Sequence, residues 1–252
     1  MRRRVPLMIA GHAALIAVAL LLWQYGTVRG WIDAAFFGRP SDIIRFLYNG
    51  LVVRGDLWAQ VGQTLMATLL AFVGGSLAAI LVGMVFANVP WLEALADPYL
   101  TLLNAIPRIA LAPIFMLWFG IGLSSKVAVG ISLTFFIVLS STIAGIRSVN
   151  PDFIALSRAL GGRPHQLFFK VTLPSAVPII FSGLRLGLIY AMLGVVGSEL
   201  IAAESGIGQL IASLQSAFDV SGVLAVLLLL AVLGLLVTWL MSSIEQRLLR
   251  WR

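Results

Sequence analysis

Cysteine is absent from the 252 residues, and His12 and His165 are the only histidines. A disulfide framework and a thiolate metal site are therefore excluded, and no metal site is expected. Charge is scarce too: Asp, Glu, Lys and Arg make up 11% of the chain against 60% apolar residues, too little polar surface to coat a soluble globule of this length. A phosphate-cradling loop is also missing. The pattern G-x-x-x-x-G-K-[ST] sets a lysine directly behind a glycine, whereas Lys126 and Lys170 follow Ser125 and Phe169. No ATPase is expected within the chain.

Intramembrane chemistry lacks its parts as well. Aspartyl catalysis needs two facing aspartates, and none of Asp33, Asp42, Asp56, Asp97, Asp152 or Asp219 falls mid-span. Serine chemistry needs a positioned base, and His12 has no evident acidic orienter. No catalytic residue is expected, although an intramembrane enzyme stays as a distant alternative. A secondary carrier, the nearer alternative, would want buried carboxylates for ion coupling, and the acidic residues here lie in loops or near span ends. The net charge of +7 is better read as orienting a membrane protein against anionic lipid than as binding nucleic acid.

What the sequence does have is apolar length. Residues 5–23 run uninterrupted except for His12, and further stretches cover roughly 64–87, 98–120, 127–146, 176–199 and 223–244. A lipid-spanning helix needs about 20 such residues. Continuous runs such as LAVLLLLAVLGLLV exclude the alternating strands of a membrane barrel. The expectation is an all-α, multi-pass inner-membrane protein with six transmembrane helices, a single transmembrane domain over 1–252. The first stretch resembles a signal peptide but is too long and lacks a clean cleavage site.

Orientation follows from the basic residues. With six spans the two termini and the 147–175 loop share a side, which holds Arg2, Arg3, Arg4, Arg147, Arg158, Arg163, Lys170, Arg247, Arg250 and Arg252. The other side holds Arg29, Arg39, Arg45, Arg54 and Lys126. This asymmetry places both termini in the cytoplasm. Outside, Pro40-Ser41-Asp42 signals a helix start, followed by Ile43, Ile44, Leu47 and Leu51 on one face. Ile207, Leu210, Ile211, Leu214 and Phe218 recur at helical spacing between spans five and six.

The 147–175 loop is long for a connection between spans, and it is patterned. Asn150-Pro151-Asp152 reads as N-cap, first helical residue and acidic first turn. Gly161-Gly162 supplies a left-handed stop, Pro164 opens a second helix, and Leu173-Pro174 should end it before the next span. Two short helices hinge at Gly161. The first is too short to be stable alone in water and should dock on a soluble partner or on lipid.

The stretch ALSRALGGRPHQLFFKVTLP resembles the cytoplasmic coupling motif of binding-protein-dependent ABC importer permeases, written E-A-A, three residues, Gly, nine residues, Ile, one residue, Leu-Pro. Gly161 fits the glycine, Val171 stands for the isoleucine, and Leu173 and Pro174 fit the ending. Ala155, Leu156 and Ser157 occupy the opening triplet, so its acidic residue is missing. LNAIPRIALAPIFMLWFGIG at 103–122, GDLWAQV at 55–61 and ESGIGQLI at 204–211 are similar to the nitrate, sulfonate and taurine branch of these permeases. The resemblance implies a type I (MetI-like) six-helix permease that pairs with a second copy as a homodimer. It also implies two ATP-binding subunits docked on the 147–175 loop, with ATP bound there and no cofactor in this chain. An extracytoplasmic solute-binding protein would deliver a small anion such as nitrate, a sulfonate or taurine, or alternatively a neutral vitamin precursor.

Arg108 in the third apolar stretch and Arg185 in the fifth are costly charges at membrane depth, each about 2.5–3.5 kcal/mol at a helix centre on insertion scales. Arg108, between Pro107 and Pro113, is a candidate to line a pathway or join an ion pair; Arg185 could snorkel to the near surface. Glu199 and Glu204, near the outer end of the fifth span, are candidate gate residues. Gly183, Gly187, Gly194 and Gly197 would let that span pack closely.

Overall fold

The computed structural model describes residues 4–248, which leaves Arg2, Arg3, Arg250 and Arg252 of the charge pattern outside it. Every regular element among the described residues is helical. The helices are α1 (Arg4–Val28), α2 (Ala34–Phe37), α3 (Pro40–Tyr48), α4 (Asp56–Asn88), α5 (Pro90–Ala105), α6 (Ala112–Phe119), α7 (Leu123–Arg147), α8 (Pro151–Ala159), α9 (Pro164–Leu167), α10 (Leu173–Ile201), α11 (Ile207–Ser216) and α12 (Val220–Leu248). Among the described residues five apolar helical stretches are long enough to cross a membrane, and α5 with the Arg108–Phe119 segment makes a sixth when taken as one broken span. The chain divides into two compact units, one formed by residues up to Gln60 with Leu210–Val232, the other by Val61–Gln209 with residues from Leu233 onward.

In the first unit, Pro40 opens α3 at the position where a missing N–H costs nothing, as its place in the sequence predicts. Ile43 is buried, whereas Ile44 is exposed, so the four apolar residues do not form one covered face. Gln24 of α1 clasps the start of α3, donating to the Ser41 hydroxyl at 3.3 Å and accepting from the Ser41 N–H at 3.1 Å. His12 donates from its ring to the Met8 carbonyl one turn back at 2.7 Å, which satisfies it locally. Phe218 lies beyond the end of α11 with a positive φ of 56° and is 88% exposed, so it is not part of that helix's apolar face.

In the second unit α10 runs antiparallel to α4 and α7. The start of α10 meets the end of α7, where the Ala176 carbonyl lies 3.0 Å from the place a β-carbon on Gly145 would take. Between membrane helices there is no hydrophobic gain, so close packing of small residues sets the contact. A β-carbon on Gly183 would stand 2.2 Å from Ser141 Cβ, one on Gly187 2.7 Å from Val138, and one on Gly194 3.1 Å from Gly130 Cα. Gly197, the fourth expected packing glycine, faces Ile109 instead. Ala67 and Ala71 of α4 join Ala191 and Val195 of α10 in a fully buried cluster.

Two expectations are corrected. The third apolar stretch is not one helix: α5 and the Arg108–Phe119 segment are bent by 84°. Ile106, ahead of Pro107, takes an extended conformation with ψ 129°, because a residue before proline is pushed out of the helical region. Hydropathy reports lipid-compatible length, not continuity of the backbone. The second correction concerns Leu173-Pro174, which does not end a helix. The chain runs helically from Pro164 to Ile201 through a π turn at Phe168–Thr172. There the Leu173 N–H reaches back five residues to the Phe168 carbonyl. This wider turn just ahead of Pro174 accommodates a residue that lacks an N–H for the regular ladder.

Candidate functional site

One end of the second unit carries the 147–175 loop. Asn150 caps α8 by accepting the Asp152 N–H at 2.9 Å, as the Asn-Pro-Asp spelling predicts. The helix closes in a Schellman arrangement: the Gly162 N–H donates to the Ser157 carbonyl at 3.0 Å and the Gly161 N–H to the Arg158 carbonyl at 2.9 Å. Gly161 holds φ +80°, and a β-carbon on Gly162 would meet the Ser157 carbonyl at 2.7 Å. Both glycines are required, for different reasons.

With its ends fixed, α8 presents Phe153, Leu156 and Leu160 outward, at 57%, 60% and 80% exposure. Ala155 is also exposed, Ser157 half-buried and Gly161 exposed, whereas Val171, Leu173 and Pro174 are half-buried in the π turn and the start of α10. The expected motif residues thus fall into an outward helix and a stem. A cleft of about 540 Å³ beside them is lined by Asn88, Arg147, Ile154, Arg158 and Phe168, among others. Arg147 at the end of α7 is ion-paired with Glu93 of α5.

The opposite end of the unit holds a buried polar cluster. Glu199, near the end of α10, and Lys126, in the first turn of α7, have side chains 0% and 4% exposed and pair at 3.1 Å. The Thr64 hydroxyl of α4 donates to the Glu199 carboxylate, 2.9 Å from Oε2. The Gly208 N–H donates to the same oxygen at 2.9 Å, and the Ile207 N–H donates to Thr64 Oγ1 at 2.8 Å. Lys126 also donates to the Ser205 carbonyl. The hydrogen-bonding capacity of this buried carboxylate is met by the Lys126 ammonium and two further donors.

The cluster's carboxylate, ammonium and hydroxyl are all engaged with one another or with backbone groups. It staples three helices to the 202–208 turn. The sequence ESGIGQLI is thereby explained: Gly206 at φ +108° and Gly208 both abut Glu199, leaving no room for side chains. Glu204, the other expected gate residue, is exposed instead.

Lys126 is the residue sequence reasoning misplaced. Counted among surface charges of an outer loop, it is 3% exposed and faces inward. Thr64 was missed altogether. The available signal was a lysine entering one apolar span and a glutamate leaving another, each too costly to be buried alone.

Arg185 pairs with Glu245 in the last turn of α12, with its side chain 38% exposed. Arg108 opens the short 3-10 turn at the break of the third span. Its Nη2 donates to Asn104, and its guanidinium carbon lies 4.1 Å from the centre of the Phe136 ring. Among the described residues no group of three His, Cys, Asp or Glu side chains is placed to hold a metal ion.

Residues 59–250 match the family described as binding-protein-dependent transport system inner membrane component. The chain is 32% identical over 238 residues to SsuC of Bacillus subtilis (strain 168), an aliphatic sulfonates transport permease by name, covering 94% of this chain and 86% of that protein. It is 33% identical over 241 residues to the riboflavin transport system permease RibX of Chloroflexus aurantiacus, covering 96% and 90%. Among solved structures, the inward-facing MetNI methionine ABC transporter superimposes with a TM-score of 0.68 at 22% identity, over 76% of this chain and 95% of the matched chain. That likeness concerns the fold.

Proposed function

Because this chain belongs to the family of binding-protein-dependent transport system inner membrane components, we propose that it works as one permease domain over 1–252, lining the path of an ATP-driven importer as a homodimer. Two ATP-binding subunits dock on the 147–175 loop at the cytoplasmic face, and an extracytoplasmic binding protein delivers the solute. ATP is bound and hydrolysed in those subunits, so this chain carries no catalytic step and no cofactor. Both termini lie in the cytoplasm.

The observation that supports this most directly is α8. It is a short helix, capped at both ends, with Phe153, Leu156 and Leu160 exposed and none of the described residues covering them. An apolar helical face that must be covered fits a partner's groove. The substrate class is a small oxyanion of the sulfonate type, supported by the likeness to the sulfonate permease. Glu199 and Lys126 would hold the outer turn shut as part of a gate.

The test uses the absence of cysteine. A single Leu156→Cys introduced into the chain gives one thiol, and a set of single cysteines on the ATP-binding subunit gives its partner. Oxidation of the assembled complex should yield one specific cross-link that follows nucleotide state. The isolated permease should hydrolyse no ATP. Sustained turnover by the purified chain alone, or cross-linking only to lipid-facing probes, would refute the assignment.

A further inference from the structure

Three cations lie on the apolar spans of the second unit or at a break in one: Lys126 in the first turn of α7, Arg185 within α10 and Arg108 at the break. The first two are ion-paired, to Glu199 and Glu245. No carboxylate among the described residues pairs with Arg108. A cation at membrane depth without a counterion is expensive, by about 2.5–3.5 kcal/mol or more at the helix centre, and its usual justification is a ligand or a water-filled cavity.

Its setting is built rather than loose. Asn104, one turn earlier on α5, accepts from Nη2, and the guanidinium carbon lies over the Phe136 ring of α7, 4.1 Å from its centre. One donor and the position over the ring are thereby fixed. A guanidinium has five N–H donors, so an edge of the planar fork is left for an acceptor. Two parallel N–H groups in a plane match the oxygens of a sulfonate, sulfate or phosphate better than any neutral group.

The backbone supplies the second observation. Ile106 and Pro107, at the break, are exposed, with Ile106 37% accessible. Irregular backbone at membrane depth is tolerated where protein buries it or where it lines a wet cavity, and among the described residues Ile106 and Pro107 are not buried. Ile109, directly after Arg108, packs against Gly197 two residues from Glu199, so the break lies near the stapled end of α10.

We infer that the Arg108 guanidinium, held by Asn104 and Phe136, is a binding station for a small oxyanion within the translocation path. This rests on the permease reading with its oxyanion substrate class and adds the residues that hold the solute in the path. The station binds through charge and a bidentate fork, so it prefers tetrahedral oxyanions to halides and to neutral solutes of the same size.

Protection from an arginine reagent tests it. The assembled complex of permease and ATP-binding subunits in lipid nanodiscs is treated with phenylglyoxal, and modification of Arg108 is read by peptide mass spectrometry. Methanesulfonate should slow the modification about five-fold or more, as a bidentate charge-assisted contact would. Chloride at equal ionic strength and neutral dimethyl sulfone should leave it unchanged. Asn104→Ala should reduce the protection by methanesulfonate. Equal rates with and without methanesulfonate, or an Arg108 that never reacts, overturn the station. Slow modification in nanodiscs that becomes fast in lipid-free detergent, with no effect of methanesulfonate, identifies a lipid phosphate as the occupant and also overturns it. The permease reading is judged separately in the same complex, by whether a loaded binding protein stimulates ATP turnover.

Discussion

A β-carbon on Gly206 would stand 2.0 Å from the Glu199 carboxylate oxygen, so the turn that carries Gly206 can close on Glu199 only because that residue has no side chain. The same carboxylate holds Lys126 and Thr64, which makes the contact between turn and glutamate the closing stitch of a cluster drawn from three helices.

Removing one member of this cluster should be costly. Lys126→Met leaves an uncompensated buried carboxylate, and breaking such a pair costs about 3–5 kcal/mol. Thermal unfolding of the detergent-solubilised protein should show a large loss for Lys126→Met, for Glu199→Gln and for Gly206→Ala. The double change Lys126→Met with Glu199→Leu should recover much of it, since neither charge is then stranded. Parental stability in Lys126→Met would show that the pair contributes nothing.

The pair Arg185 with Glu245 should matter less. Its side chains are 38% and 16% exposed, against 4% and 0% for Lys126 and Glu199, so this pair is the less enclosed by protein, and Glu245 lies in the last turn of α12. Arg185→Met should cost about 1 kcal/mol or less, as for exposed ion pairs. The unfolding assay that ranks Lys126→Met should place Arg185→Met well above it in stability; the reverse order would contradict the burial argument.

Gly161→Val should separate folding from coupling. A β-branched residue at φ +80° is strained by about 1–3 kcal/mol, enough to unwind the Schellman end of α8. The spans keep their own backbone hydrogen bonds, so the variant should insert at near-normal levels. ATP turnover of the complex should no longer respond to the loaded binding protein. A change at Ala155, exposed in the middle of α8, should matter less. Wild-type transport by Gly161→Val would exclude the loop as the coupling element.

Reporter fusions address orientation. A cytoplasmic reporter should be active after Arg147 and after Arg252, and an extracytoplasmic one within 28–62 and 203–219. Export of a reporter fused at Arg163 would invert the map.

What the sequence made legible was mostly local. Asn150, Gly161 and Pro40 each act within one turn of themselves, through a cap, a left-handed stop and a missing N–H, so their spelling suffices. The helical character of the spans follows from apolar length alone. Leu173-Pro174 was misread because a proline is a stop only where the ladder needs its N–H, and the π turn removes that need. The break at Arg108 was hidden because its flanks are as apolar as an unbroken span. The Lys126 cluster joins residues 73 and 135 positions apart, a distance no periodicity or motif reports.

That separation has a consequence for how the chain is made. Lys126 leaves the ribosome 73 residues ahead of Glu199. At about 5–20 residues per second, the counterion emerges some 4–15 s later. During that interval α7 must enter the bilayer with its lysine uncompensated. The position of Lys126, four residues into Leu123–Arg147, suits this delay, because a lysine in the first turn can hold its ammonium at the interface. The cluster is thus assembled in chain order: a waiting cation at the rim, then a glutamate arriving on α10, then the glycine turn that seals both from water.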